Sequence, residues 1–135
     1  MKITLEQAVT GLNALQRIGA EKLPIKLAYT LQRNMRILQP DTKQYEDQRM
    51  ELVKTKYGKE NEEGGWEIPP EKRKAFEKQI ETLGSVELEL DLYTIDLDTV
   101  NINISPNDLY ALEWMFVVGA SEDAPKPIKK RGKNG

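Results

Sequence analysis

Residues 86–105 read VELELDLYTIDLDTVNINIS, and the alternation in that stretch decides the fold. Successive side chains of a strand point to opposite faces. Val86, Leu88, Leu90 and Leu92 therefore share one face, and Glu87, Glu89 and Asp91 share the other. The parity changes between Tyr93 and Ile95, after which Val100, Ile102 and Ile104 alternate with Asn101 and Asn103. Two strands joined around Asp96 to Thr99, a small C-terminal β-hairpin, is the reading this pattern predicts. A two-stranded hairpin is marginal in water and needs something apolar to lie against. The rest of the chain supplies helices, so the expected class is α+β, mostly α.

Upstream, Thr4-Leu5-Glu6-Gln7 matches a capping box, with Thr4 as N-cap and Gln7 reaching back. Leu5, Ala8, Leu12 and Leu15 follow at helical spacing and predict a helix over 5–18, closed by Gly19. Pro24 suits the first turn of a second helix. Ala28, Leu31, Met35 and Leu38 repeat along it like a short coiled-coil seam. Pro40 removes one helical hydrogen bond, which predicts either a kink near Leu38 or a break with Asp41 capping a new helix. Beyond it the apolar residues are Tyr45, Met50, Leu52, Val53 and Tyr57, ending at Gly58. A helix over 24–57 would be about 50 Å long. The loop GKENEEGGWEIPP covers 58–70, with Trp66 and Ile68 expected to pin it to the helices. A returning helix over 70–83 turns Phe76, Ile80 and Leu83 inward and completes an antiparallel helical hairpin.

Ser105-Pro106-Asn107-Asp108 combines an N-cap, a proline at the first helical position and an early acid. The short capping helix it opens is strongly apolar through Leu109, Leu112, Trp114, Met115 and Phe116. That bulk predicts a lid over the core or an oligomer contact, and Leu112, Trp114, Met115 and Phe116 are the candidate interface. Residues 1–120 form the expected single domain, and SEDAPKPIKKRGKNG after it reads as a disordered basic tail over 121–135.

The composition narrows the chemistry. The 135 residues contain no cysteine and no histidine. Disulfides, thiolate nucleophiles, Cys/His zinc sites and imidazole acid–base catalysis are thereby excluded. The reading is of a protein that is not an enzyme and needs no cofactor. No apolar run approaches the ~20 residues that span a bilayer. The opening MKITLEQAVTGL lacks the apolar core of a signal peptide, so synthesis and action in the cytosol are expected, with no membrane contact.

Net charge is −2, but it is segregated. Lys22, Lys26, Arg33 and Arg36 occur with no acid between them. From Ser85 to Asp123 every charge is negative, and Lys126, Lys129, Lys130, Arg131 and Lys133 close the chain. Such asymmetry favours self-association or a charged partner. Lys26 and Arg33 lie two helical turns apart and can share a face. With Tyr29 to stack on a base, and Arg36 nearby, they are the candidate anion or nucleotide site. A plain solvated helix face is the simpler reading of the same residues. The acidic strand face would need Asp96 or Asp98 folded back toward Asp91 to hold a cation, because alternate strand positions stand about 6.8 Å apart. No metal is expected there. The tail can add salt-sensitive, non-specific contact with nucleic acid.

Three segments, LPIKLAYTLQRNMRIL, VELELDLYTIDLDTV and ISPNDLYALEWMF, together resemble a group of small bacteriophage and prophage proteins. In that group a helix of the LPVK type, a helical hairpin, a VELD strand and an ISP-DL-ALE ending recur in this order. Pro40 departs from the uninterrupted helix of the group. The resemblance implies a phage accessory protein and supplies neither ligand nor mechanism. The expected function is a non-enzymatic binding protein that counteracts host defence, sequestering an anionic nucleotide signal or occluding a defence protein, and the expected state is a homo-oligomer. The alternative is a virion morphogenesis or assembly factor that works through protein–protein contacts.

Overall fold

The structure, a computed structural model, describes residues 1–118. The expected boundary at residue 120 and the basic tail lie outside them. The class is α+β, mostly α, as the patterning predicts. In chain order the elements are β1 (Lys2–Thr4), α1 (Leu5–Gly19), α2 (Ile25–Leu52), a π-helical turn (Val53–Tyr57), β2 (Lys59–Glu60) and β3 (Trp66–Glu67). There follow α3 (Pro70–Gly84), β4 (Glu87–Glu89), β5 (Ile95–Asp96), a 3-10 turn (Leu97–Thr99), α4 (Pro106–Ala111) and β6 (Phe116–Val117).

The capping box forms as read: the Gln7 N–H donates to Thr4 Oγ1 at 3.1 Å, and the Thr4 N–H donates to Gln7 Oε1 at 2.8 Å. From that start α1 buries Leu5, Ala8, Leu12, Leu15 and Ile18. Gly11 lies on the same face, where a Cβ would stand 2.9 Å from Trp114 Cζ2. The missing side chain is what lets the indole come this close to α1. The buried face of α2 is Leu27, Leu31, Asn34 and Leu38, which keeps Leu31 and Leu38 of the expected seam and puts Leu27 and Asn34 in place of Ala28 and Met35. Ala28 is exposed and Met35 half-buried.

The break does not occur at Pro40: α2 runs through it as one helix. Pro40 sits on the solvent side, so its ring displaces no core residue. Packing of the preceding turns against α1 offsets the one hydrogen bond lost. The irregularity comes later. Between Val53 and Tyr57 the helix widens to π geometry, closed by the Gly58 N–H donating to Val53 O at 2.6 Å. A Cβ on Gly58 would fall on that same Val53 carbonyl oxygen, so the closure depends on glycine.

The stretch 86–105 forms no hairpin with itself. Its first half, β4, pairs antiparallel with β1, bringing Lys2 opposite Glu89, Ile3 opposite Leu88 and Thr4 opposite Glu87. Midway along it β5 pairs in parallel with β6, bringing Ile95 opposite Phe116, and the expected second strand over 100–104 does not form. Two local interactions explain the correction. Buried Asn34 takes both backbone groups of Tyr93: Oδ1 accepts from its N–H at 2.9 Å and Nδ2 donates to its carbonyl at 3.0 Å. Asp96 Oδ1 accepts from the Asp98 N–H at 2.9 Å and bends the chain into the 3-10 turn. The backbone a hairpin would have used is already engaged. The predicted alternation of faces survives from Glu87 onward, with Leu88, Leu90 and Leu92 turned inward and Glu87, Glu89 and Asp91 outward, whereas Val86, expected inward, is exposed.

Ser105 caps α4 as expected, accepting from the Asp108 N–H at 3.1 Å. Leu112, Met115 and Phe116 are buried within the single chain, and Trp114 is half-buried against α1. These four side chains form the lid over the core, not an exposed oligomer contact. The turn after α4 drives them beneath the helix, and Leu109 and Tyr110 are the residues left outside.

Asp108 also ties α4 to α1. Arg17 Nε donates to its Oδ1 at 2.9 Å, and that bond, reinforced by the Ser105 hydroxyl, holds the carboxyl below the ordinary aspartate range. A lowered folded-state pKa contributes stability above the unfolded value that is lost as pH falls through the folded one. Asp108→Asn should therefore unfold at lower urea than the wild type at neutral pH. The gap should close only below the usual aspartate range near pH 3.9. A gap that is constant down to acid pH would contradict the ion pair as its source.

Candidate functional site

Helix α2 starts abruptly. Pro24, extended at φ −53° and ψ 145°, precedes it with no side-chain cap, and its first turn contains no acidic residue. The free N–H groups there present the positive end of a 28-residue helix. On a 3.6-residue period Lys26, Thr30 and Arg33 fall on one flank of α2, beside its buried stripe. That flank faces the irregular segment 93–101, which Asn34 anchors at Tyr93.

Between the two runs a groove of about 770 Å³. Lys26 and Thr30 line it from the helix; Thr94, Asp96, Thr99 and Asn101 line it from the opposite wall. Hydroxyls, an amide, an ammonium and one carboxylate edge a lining that is mostly apolar, through Pro24, Ile25, Leu27, Ile95 and Val100. Asp96 is the one acid in the lining; its Oδ1 is committed to the Asp98 N–H, and its Oδ2 is buried without a hydrogen-bond partner. Thr99 Oγ1 donates to the Asp96 carbonyl at 2.7 Å, which fixes the 3-10 turn as that side of the groove.

One turn farther along α2 the guanidinium of Arg33 lies 5.5 Å from the Tyr93 ring centroid and 6.0 Å from that of Tyr29. Its Nη2 donates to Tyr93 Oη at 3.0 Å. The Tyr93 hydroxyl first, and then Tyr29, raise the guanidinium pKa above its ordinary value. Arg33 is nevertheless exposed, and Tyr29 is 57% exposed. The two rings fix the direction of the guanidinium while leaving its remaining N–H groups open to a ligand.

Of the four residues expected at an anion site, the fold brings Tyr29 and Arg33 into contact and puts Lys26 in the adjoining groove. Arg36 stands on the outward side of α2, exposed, with no hydrogen bond among the described residues. The patterning gave no hint of Tyr93, Thr30, Thr94, Thr99 and Asn101. The available signal was the parity change at Tyr93, which marks where the chain leaves β4 and turns toward α2. Elsewhere in the acidic stretch the carboxylates stay apart, and among the described residues no group of three acids comes close enough to hold a metal ion. Among the same residues no helix is long and apolar enough to cross a membrane.

Comparison with protein-family models, with curated proteins and with solved structures finds no significant match.

Proposed function

We propose that this chain is a non-enzymatic phage accessory protein that binds an anionic, nucleotide-like ligand in the groove between α2 and residues 93–101. In this reading it acts in the host cytoplasm and counteracts defence by sequestering a nucleotide signal. The observation that carries it is Arg33, exposed and fixed by Tyr93 and Tyr29 one helical turn beyond Thr30, which with Lys26, Thr94 and Thr99 edges the groove. A guanidinium already oriented loses little entropy when it takes a phosphate, and a charge-assisted bond to one is worth more than a neutral bond. Lys26 and the uncapped start of α2 add positive potential at the other end. Tyr29 offers an open ring on which a base can stack.

Calorimetric titration with cyclic and linear nucleotides tests this, with wild type beside Arg33→Gln. Gln is a good helix former, so α2 should persist. Loss of a charge-assisted bond costs about 1.5–3 kcal/mol, a weakening of roughly ten- to hundredfold. Equal binding by the variant would move the site elsewhere. No heat from any nucleotide would favour occlusion of a defence protein, or the assembly-factor reading, whose support is the half-covered outer part of the helical hairpin.

A further inference from the structure

The first turns of α1 lie beside the long helix as far as Glu46, with Leu12 near Pro40 and Glu6 near Tyr45; farther on, α3 and β3 pack against the helix and its π-helical turn. In this arm α3 buries no side chain fully; Gly84 is its sole buried residue, and Phe76, Ile80 and Leu83 are each half-covered. A helix packed in a globular layer has an apolar stripe wider than a single neighbour can cover. The arm therefore holds an open groove of about 510 Å³, floored by Met50, Val53 and Phe76 and walled by Trp66, which is 37% exposed. Phe76 meets Tyr57 edge to face, with ring centroids 5.7 Å apart, so the floor is braced.

The rim indicates what covers the groove. Arg49 and Arg73 stand on it with Glu67 and Glu77. Arg49 pairs with Glu46 at 3.0 Å, whereas Arg73, Glu67 and Glu77 have no ion pair among the described residues. Charges of both signs in equal number around an apolar floor suit neither a strongly acidic nor a strongly basic partner. They suit a copy of the same patch turned by a two-fold axis, where each arginine can meet a glutamate.

We propose that this chain associates with a second copy of itself through the arm, groove against groove across α2, α3 and Trp66. The oligomer seam thus lies at the opposite end of the chain's helical hairpin from the buried Leu112–Phe116 turn.

Sedimentation of the full chain across the micromolar range tests the proposal. Wild type should be a dimer. Arg73→Glu leaves a rim dominated by acids, and Glu77→Arg leaves one dominated by bases. Each variant alone should associate at least tenfold more weakly than wild type, because like rims then face each other. Mixed in equal amounts, the two variants should recover a dimer, since opposite rims now meet. Both positions are exposed, and the recovery itself shows that the variants are folded. A monomeric wild type, variants that dimerise as well as wild type, or a mixture that stays monomeric would each overturn the proposal.

Discussion

Asn34→Ala should lower stability by about 2–3 kcal/mol, enough to bring the melting temperature down by roughly 10 °C. Asn34 is fully buried in the middle of the α2 stripe, yet every polar atom of its side chain is used. Its amide bonds the N–H and carbonyl of Tyr93, and Nδ2 also lies 3.2 Å from Met115 Sδ. Truncation leaves the Tyr93 backbone without partners and opens a cavity between α2 and the α4 turn. Asn34→Leu would refill the space without restoring the bonds, so it should recover only part of the loss. Tyr93 would also lose its anchor, and Arg33 its fixed direction, so ligand binding should weaken along with stability. A melting temperature within a degree or two of wild type would show that Asn34 does not hold the 93–101 segment.

Leu112→Ala should cost about 3–4 kcal/mol, as expected when a fully buried leucine is cut back beside Met115 and Leu15. The decisive feature is the dependence on concentration. A core residue of the single chain lowers the unfolding midpoint equally in dilute and concentrated samples. An interface residue would change the oligomer and leave a dilute monomer nearly as stable as before. Denaturant titration at two protein concentrations separates the two cases. A loss confined to the concentrated sample would return Leu112 to the interface.

What could be read from the sequence was local. The Thr4 capping box, the start of α2 at Pro24, the start of α3 at Pro70 and the Ser105 cap all depend on neighbours within one turn, and all four form. The inward and outward faces of residues 87–92 were equally legible, because alternation is a property of the strand alone, and only Val86, just before the strand, departs from it. The strand's partner is not such a property. Alternation says nothing about which edge is free, and here Lys2–Thr4 claims β4 while Phe116–Val117 claims β5.

Asn34 explains the misplaced seam. Leu27, Leu31, Asn34 and Leu38 have the 4-3-4 spacing of a buried stripe, but the asparagine makes the run look interrupted. Ala28 and Met35 then offer an apolar run that is only partly buried. A lone polar residue at a seam position is a known way of fixing register, and its position among three leucines was the available clue. The site was half legible for a related reason. Lys26, Tyr29 and Arg33 announce themselves by helical spacing, whereas Tyr93, Thr94 and Thr99 come near them through bonds across the chain, those of Asn34 and Arg33 to Tyr93.

The groove between α2 and residues 93–101 is the proposed ligand site. Amide chemical-shift mapping of the isotope-labelled full chain, titrated with the same cyclic and linear nucleotides, addresses it directly. Shifts that grow with ligand at Lys26, Thr30, Arg33, Tyr93, Thr94 and Thr99, and vanish in Arg33→Gln, are the predicted result. Shifts gathered instead around Trp66 and Phe76, or no shifts with any nucleotide, would contradict it.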